Sequence, residues 1–197
     1  MTPPDAPPSN TDVTFSQTNS EAAELCLGCR TVTTEYIRDN SMYRAFALAD
    51  YGVAGKLTIK RVRFGVCGST TTPEPSGSQP VTVRVHGYSG ALGGATLNVD
   101  RLTMYQETTI QVANMNPRPI DVSISAELPA TTTALVVELR VNDGVQQMRK
   151  LMFAANGQGE RAPGYHRAPD CNFPDPLAIP MTGNTGYALV LTAFGQW

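Results

Sequence analysis

The chain has 197 residues, of which 41% are hydrophobic and only 16% charged, and its formal net charge is -2. A chain of this length folds around one good core or two small ones, and its apolar fraction excludes disorder throughout. The twelve Arg and three Lys are spread along the sequence, so the chain has no basic cluster of the kind that binds nucleic acid. It also has no run of about 18 apolar residues, so no membrane span is predicted.

Residues 1–25 are predicted to form an extended N-terminal arm ahead of a single domain over 26–197. Four prolines in the first eight residues favour a polyproline-like backbone: Pro3, Pro4, Pro7 and Pro8. A frayed tail is one interpretation, and an arm that becomes ordered on a partner surface is the one we favour. The first residues have neither a charged n-region nor an apolar h-region, so we expect a chain used inside the cell rather than one cleaved from a leader.

After a short stretch with helical character at 21–25, alternating and β-branched runs dominate the sequence. They predict short strands at 31–37, 42–48, 56–67, 81–88, 95–104, 108–112, 120–124, 135–141, 151–155 and 187–194. The change of phase at Lys60-Arg61 predicts a β-bulge, and Asn142-Asp143-Gly144 predicts a hairpin turn. Many short strands without a long helix predict an all-β fold, a jelly-roll-like β-sandwich.

One connection, over residues 156–186, is unusually long and has no periodicity. Loops of this length are usually functional or pinned by a cross-link, and Cys171 lies in the middle of this one. Pinning is the simpler interpretation. The alternative is a binding loop, with Tyr165, His166 and Arg167 as the candidate ligand-facing residues.

The four cysteines, Cys26, Cys29, Cys67 and Cys171, are even in number and include one C-x-x-C. Structural disulfides are the favoured interpretation, which would imply a location outside the reducing cytosol. A zinc site made from all four, a set of buried free thiols and a redox motif are the alternatives.

The sequence shows no motif that announces a reaction. It contains no nucleophile elbow, phosphate loop or calcium loop, so we predict no catalytic residue, no metal ligand and no cofactor, and a protein that is not an enzyme. His86 is predicted to lie on the solvent face of a strand, and His166 to be a loop residue that packs or hydrogen-bonds. The aromatic residues that suit a glycan platform are Tyr88, Tyr105, Tyr165, Tyr187 and Trp197.

Six segments are similar, in order, to the pattern of a family of jelly-roll-like β domains found in phage virion proteins and in bacterial secreted or surface proteins. That pattern reads N-S-Y-Y-R-x-F-x-L-x-x-x-G-I, V-x-F-G-V, Q-P-V-T-V-R-V, L-V-V-E-V, G-x-N-x-x-G-x-x-x-P-x-Y and D-C-G. The matching segments are 40–53, 62–66, 79–85, 135–139, 156–165 and 170–171. The resemblance is fairly specific for fold and carries no activity.

The resemblance also implies a disulfide pairing. It joins Cys26 or Cys29 to Cys171 and leaves Cys67 for the other cysteine of the C-x-x-C. The chain departs from the family at its Pro-rich arm, its C-x-x-C and Cys67, and it has Asn172 in place of the glycine of D-C-G.

The resemblance, the arm and the lack of a signal-peptide pattern in the first residues together predict a non-enzymatic structural protein of a bacteriophage virion. We expect a capsid decoration protein, made in the host cytoplasm and located on the virion surface, which docks on the major capsid or other virion proteins and is itself a homo-oligomer. The alternative is a secreted or surface carbohydrate-binding or adhesion module, which is extracellular and has glycans as partners. Neither nucleic acid nor a membrane is an expected partner.

Overall fold

The structure, a computed structural model, describes residues 11–71 and 77–197, and these form thirteen strands. The strands are β1 (Asp12–Ser16), β2 (Leu25–Leu27), β3 (Asn40–Ala47), β4 (Leu57–Thr71), β5 (Ser78–Tyr88), β6 (Leu102–Ala113), β7 (Arg118–Leu128), β8 (Ala134–Val141), β9 (Arg149–Asn156), β10 (Tyr165–Ala168), β11 (Phe173–Ala178), β12 (Ala188–Leu189) and β13 (Leu191–Gln196). Short 3-10 segments lie at Leu48–Tyr51, Val99–Arg101, Pro169–Cys171 and Ile179–Thr182. Across 11–71 and 77–197, no helix has the length and apolarity needed to cross a membrane.

The strands form two antiparallel sheets that pack face to face. The seven-stranded sheet has the order β1-β13-β4-β9-β12, with β2 paired to β9 and β7 paired to β4. The six-stranded sheet has the order β11-β10-β3-β8-β5-β6. The all-β sandwich predicted from the alternating runs is therefore confirmed.

The core lies between the sheets and follows the period-2 pattern of the strands. In β5, Val81, Val83 and Val85 are fully buried, as the alternation predicts. In β4 the register shifts between Ile59 and Arg61, which confirms the predicted bulge. Each large apolar side chain buried in this way contributes roughly 1.5–3 kcal/mol to stability.

Several predicted elements differ in the structure. The strand predicted at 31–37 is a turn closed by a bridge between Arg30 and Ile37, and Val32 is fully exposed, because this segment has no partner strand. Residues 21–24 are not helical, and only the last part of the predicted strand at 95–104 belongs to β6. The predicted hairpin at Asn142-Asp143-Gly144 is wrong, since β8 and β9 lie in different sheets and the chain crosses between them.

The extent of the N-terminal arm also differs from the prediction. Asp12–Ser16 forms β1, which pairs with β13, and Phe15 is fully buried in the core. The sandwich therefore begins at Asp12 rather than at residue 26, because Val13 and Phe15 alternate with polar residues as a strand requires. The prolines predicted to dock the arm (Pro3, Pro4, Pro7 and Pro8) lie outside the described residues.

Candidate functional site

Both pairs of cysteines are joined in disulfides. Cys29 bonds to Cys171 with Cα atoms 5.9 Å apart, and Cys26 bonds to Cys67 with Cα atoms 5.3 Å apart. This pairing confirms structural disulfides, agrees with the pairing that the family resemblance implies, and contradicts a four-cysteine zinc site. In the part of the chain that the structure describes, no three His, Cys, Asp or Glu side chains gather in a group that could hold a metal ion.

The predicted ligand-facing loop at Tyr165, His166 and Arg167 is a strand. These residues belong to β10, which lies between β3 and β11 in the six-stranded sheet. Tyr165 and His166 are buried, and only Arg167 is partly open to solvent. The glycines and prolines that indicate a loop lie on either side of this strand. Because β10 is hydrogen-bonded to a neighbouring strand on each side, it does not form the tip of a ligand-binding loop.

His166 is buried in a position that suits a neutral imidazole. Its Nε2 lies 2.7 Å from Oδ1 of Asn40, and the same oxygen accepts a hydrogen bond from the backbone N–H of Cys29. Burial lowers the pKa of His166 from 6.5 to about 4. The side chain thus packs and hydrogen-bonds as predicted, although from a strand rather than a loop.

The low pKa of His166 predicts acid sensitivity. The unfolded state takes up this proton near pH 6.5 and the folded state only near pH 4, so the free energy of unfolding should fall as the pH is lowered between these values. The loss attributable to this group is up to about 3 kcal/mol. Urea unfolding of the wild type and of His166→Gln, measured from pH 7.5 to 4, tests this prediction. The glutamine keeps a hydrogen-bond donor but does not titrate, so its free energy of unfolding should depend less on pH. Parallel pH dependence in the two proteins would contradict the prediction.

The strand registers arrange side chains in three rows across the outer face, which is the face of the six-stranded sheet turned away from the other sheet. The central row, in the strand order β10, β3, β8, β5 and β6, is Tyr165, Tyr43, Glu138, Arg84 and Glu107. The row on one side is Arg167, Ser41, Arg140, Thr82 and Thr109. The row on the other side is Ala45, Val136, His86 and Met104.

Glu138 is the centre of this arrangement. It is 5% exposed, and its carboxylate accepts hydrogen bonds from Ser41 Oγ at 2.8 Å and Tyr43 Oη at 3.1 Å. Its other oxygen lies 3.2 Å from His86 Nε2 and 3.4 Å from Arg84. Burial alone would raise the pKa of Glu138, but the hydrogen bonds from His86 and Ser41 and the charge of Arg84 outweigh it and lower the pKa to about 2.

The chemistry open to Glu138 follows from this environment. A carboxylate with a pKa of about 2 is a weak base at neutral pH, and hydrogen-bond donors already surround both of its oxygens. Burial of the neighbouring Tyr43 hydroxyl raises its pKa, and the negative charge of Glu138 raises it further. The cluster is therefore built to hold donors in fixed positions rather than to move protons.

A shallow depression of about 440 Å³ lies above this cluster. We call it the polar depression, and its polar lining is Ser41, Tyr43, Arg84, His86, Glu138, Arg140 and Arg167. At its rim, Arg140 and Arg167 share the carboxylate of Asp39, each at 3.4 Å. Met104, which is 56% exposed, and Val99 add apolar surface beside the charged groups.

The other half of the outer face is covered by residues 89–101. Backbone hydrogen bonds hold this segment across the sheet, from Ala178 N–H to the carbonyl of Ala95 and from Leu97 N–H to the carbonyl of Pro176. Leu97 is buried there in a separate apolar cluster that includes Tyr88, Tyr165 and Val136. The covering segment therefore seals the apolar half and leaves the polar half open.

The sequence predictions missed this cluster. His86, predicted to be solvent-facing, is 94% buried because it lies beside Glu138 near the covered half of the face. Two of the predicted glycan-platform aromatics, Tyr88 and Tyr165, are also buried. The other three, Tyr105, Tyr187 and Trp197, are partly buried against the main core. The available signal was Glu138 itself, the one acidic residue of the largely apolar strand β8, which must find partners wherever it is buried.

Comparison with known proteins identifies no relative: no family model matches the chain, and neither a curated protein nor a solved structure is detectably similar to it. The resemblance to the jelly-roll-like family stays a prediction, and function must be argued from the molecule itself.

Proposed function

We propose that this chain is a non-enzymatic structural protein of a bacteriophage virion, a capsid decoration protein that docks through the Pro-rich residues 1–10. The proposal rests on the way in which the start of the described chain is anchored to the sandwich. Thr11 and Trp197 exchange backbone hydrogen bonds at 2.9 and 3.1 Å, and β1 follows at the edge of the seven-stranded sheet. The Pro-rich residues therefore precede a firmly anchored edge strand, which is a suitable base for a docking arm.

The disulfides support a location on the outside of a particle. Disulfides persist on virion surfaces and in extracellular proteins and are rare in the cytosol. Cys26–Cys67 joins strands β2 and β4, and Cys29–Cys171 joins the segment after β2 to the 3-10 segment Pro169–Cys171. The side chain of the buried Asn40 bonds to both backbone polar groups of Cys29. A fold tied in this way suits a protein that must survive outside the cell.

The environment of Glu138 supports a non-enzymatic role for the outer face. Its low pKa and its donor-filled oxygens make it a poor base and a poor nucleophile. The cluster is suited to binding and to holding a rigid surface, which is what a structural protein needs.

Deleting residues 1–10 should abolish docking and leave the fold intact. The truncation must stop there, because removal of β1 would take Phe15 from the core. Virions from the source phage are stripped of the chain, incubated with full-length or truncated protein and separated on a density gradient, with the chain followed by mass spectrometry. We expect the full-length chain with the particles and the truncated chain in the soluble fractions.

A variant with residues 1–10 in scrambled order is the matched control for length and composition. Circular dichroism and thermal unfolding should be the same for all three proteins. A full-length chain found only in the soluble fractions would contradict the virion assignment, and a truncated chain that still co-sediments would contradict docking through the arm.

A second candidate function is a secreted or surface adhesion module with glycan partners. The two disulfides fit an extracellular location equally well, and the polar depression offers a place for a ligand. Detection of the chain in the culture medium of a non-lysed host, and not on particles, would favour this candidate.

A further inference from the structure

We infer that the polar depression on the outer face is a saccharide-binding site. The inference holds for a virion protein and for a secreted module alike, and it does not depend on docking through residues 1–10. It places the ligand on different residues from the aromatic platform that the sequence indicates.

The shape of the site is the first argument. The segment 89–101 lies along one side of the outer face, and the open rows of the sheet beside it form the floor of the polar depression. The volume of the depression is about 440 Å³. The volume of this open depression lies within the range of small-molecule sites, and a few convergent polar groups on rigid strands line it. It has the volume for one or two sugar rings.

The polar groups of the floor are held in position before any ligand binds. Glu138 fixes the hydroxyls of Ser41 and Tyr43, the His86 ring and one amino group of Arg84. Sugar hydroxyls both donate and accept hydrogen bonds, so they match a surface where guanidinium donors alternate with carboxylate acceptors. Pre-positioned partners reduce the entropy lost on binding.

The charge balance indicates the class of saccharide. Arg84 contacts both Glu138 and Glu107, and Arg140 and Arg167 share Asp39. Each positive group thus has a negative neighbour, and no net positive charge remains to select an anion. The site therefore suits a neutral polyhydroxylated ligand.

Three buried polar atoms in and beside the depression lack a hydrogen-bond partner within the described residues. They are Nδ1 of His86, Oδ1 of Asp39 and Nε of Arg140. The last two face each other at 3.4 Å, close enough for an ion pair, but they are not aligned for a hydrogen bond. Unpartnered groups of this kind are costly, but all three are shielded from solvent, so a ligand in the open depression does not reach them unless a side chain shifts.

The apolar rim supplies the remaining element of sugar recognition. Met104 is 56% exposed and Val99 is 39% exposed, although both belong to the lining of the depression. The C–H face of a sugar ring buries apolar area against side chains of this kind while its hydroxyls reach the floor. Contact with a sugar ring would explain why Met104 and Val99 are exposed beside a polar floor.

The test is a titration of the ¹⁵N-labelled full-length protein, observed by two-dimensional NMR. The probes are lactose, maltotriose, mannobiose and N,N′-diacetylchitobiose, with galacturonic acid as an acidic sugar and sodium sulfate as a simple anion. We expect at least one neutral probe to shift the backbone amides of Ser41, Arg84 and Glu138 and the side-chain Nε–H of Arg140. Arg140→Ala and Met104→Ala should each weaken that binding at least tenfold.

Two matched controls separate the site from the rest of the surface. Arg118→Ala removes an exposed arginine from β7 of the other sheet, and Met181→Ala removes a methionine that is 58% exposed, close to the value for Met104. Both should bind the probe as the wild type does. Protein lacking residues 1–10 should also bind it unchanged, so failure here and failure of arm docking are distinguishable.

Three outcomes would overturn the inference. The first is that no probe shifts the amides of the depression. The second is that the shifts map to another surface or survive Arg140→Ala. The third is that galacturonic acid or sodium sulfate binds the depression and the neutral probes do not, which would make it an anion site.

Discussion

Replacement of Arg44 by alanine should lower the free energy of unfolding by about 3–5 kcal/mol, because it breaks a buried ion pair from one side. The Arg44 side chain is fully buried between the sheets, and its guanidinium lies 2.8 Å from Oε2 of Glu160. Glu160 is only 14% exposed, so the variant would leave a carboxylate without its counter-ion. Burial already raises the pKa of Glu160 despite the charge of Arg44.

The same guanidinium also ties together three distant parts of the chain. It donates to the carbonyls of Ala162 at 2.8 Å and Leu189 at 2.6 Å, and to the side chain of Gln17 at 3.3 Å. Gln17 in turn donates to the backbone of β3. Loss of the guanidinium leaves these buried acceptors without their donor, which is part of the expected loss of about 3–5 kcal/mol.

Urea unfolding of the wild type and variant measures the effect, with Arg61→Ala as the control. Arg61 forms an exposed ion pair with Asp121 and lies against the Phe194 ring, and its removal should cost no more than about 1 kcal/mol. The double variant Arg44→Met with Glu160→Leu should recover part of the loss, because it removes both charges together. An Arg44→Ala protein as stable as the Arg61→Ala protein would contradict the assigned role.

The fold class could be read from the sequence because the signal is local. Alternation in runs such as 81–88 fixes which side chains face the core, and the interrupted phase near Lys60 marks a bulge that the structure contains. Neither inference needs knowledge of the strand order. The strand Asp12–Ser16 shows the same alternation, and the Pro-rich composition of its neighbours concealed it.

The polar cluster and the buried arginine could not be read in this way, because their partners are distant in sequence. Arg44 and Glu160 are separated by 116 residues, and Glu138 and His86 by 52. Whether a polar residue on a strand is exposed or buried depends on which strands flank it and which segment covers it. The hairpin predicted at residues 142–144 failed for the same reason, since a favourable turn sequence does not specify the sheet that the next strand joins.

Removal of the Cys29–Cys171 disulfide, by serine at both positions, should lower the free energy of unfolding by about 4–5 kcal/mol. The two cysteines are 142 residues apart, so this bond restricts the unfolded chain more than Cys26–Cys67, whose separation is 41. Cys29 is also buried, and both its backbone N–H and its carbonyl bond to the side chain of Asn40. Loss of the bond therefore loosens a buried anchor as well as enlarging the unfolded ensemble.

The matched control is the serine pair at Cys26 and Cys67, which removes the other disulfide that starts from the same C-x-x-C segment. Its cost should be smaller by at least about 1 kcal/mol, because the closed loop is shorter and Cys26 is exposed. Exposure also makes this bond the first to be attacked by a soluble thiol, so limited dithiothreitol treatment followed by peptide mass mapping should find Cys26 and Cys67 alkylated before Cys29 and Cys171. Equal losses in the two variants, or alkylation in the opposite order, would mean that burial around Cys29 and Asn40 does not protect the longer cross-link.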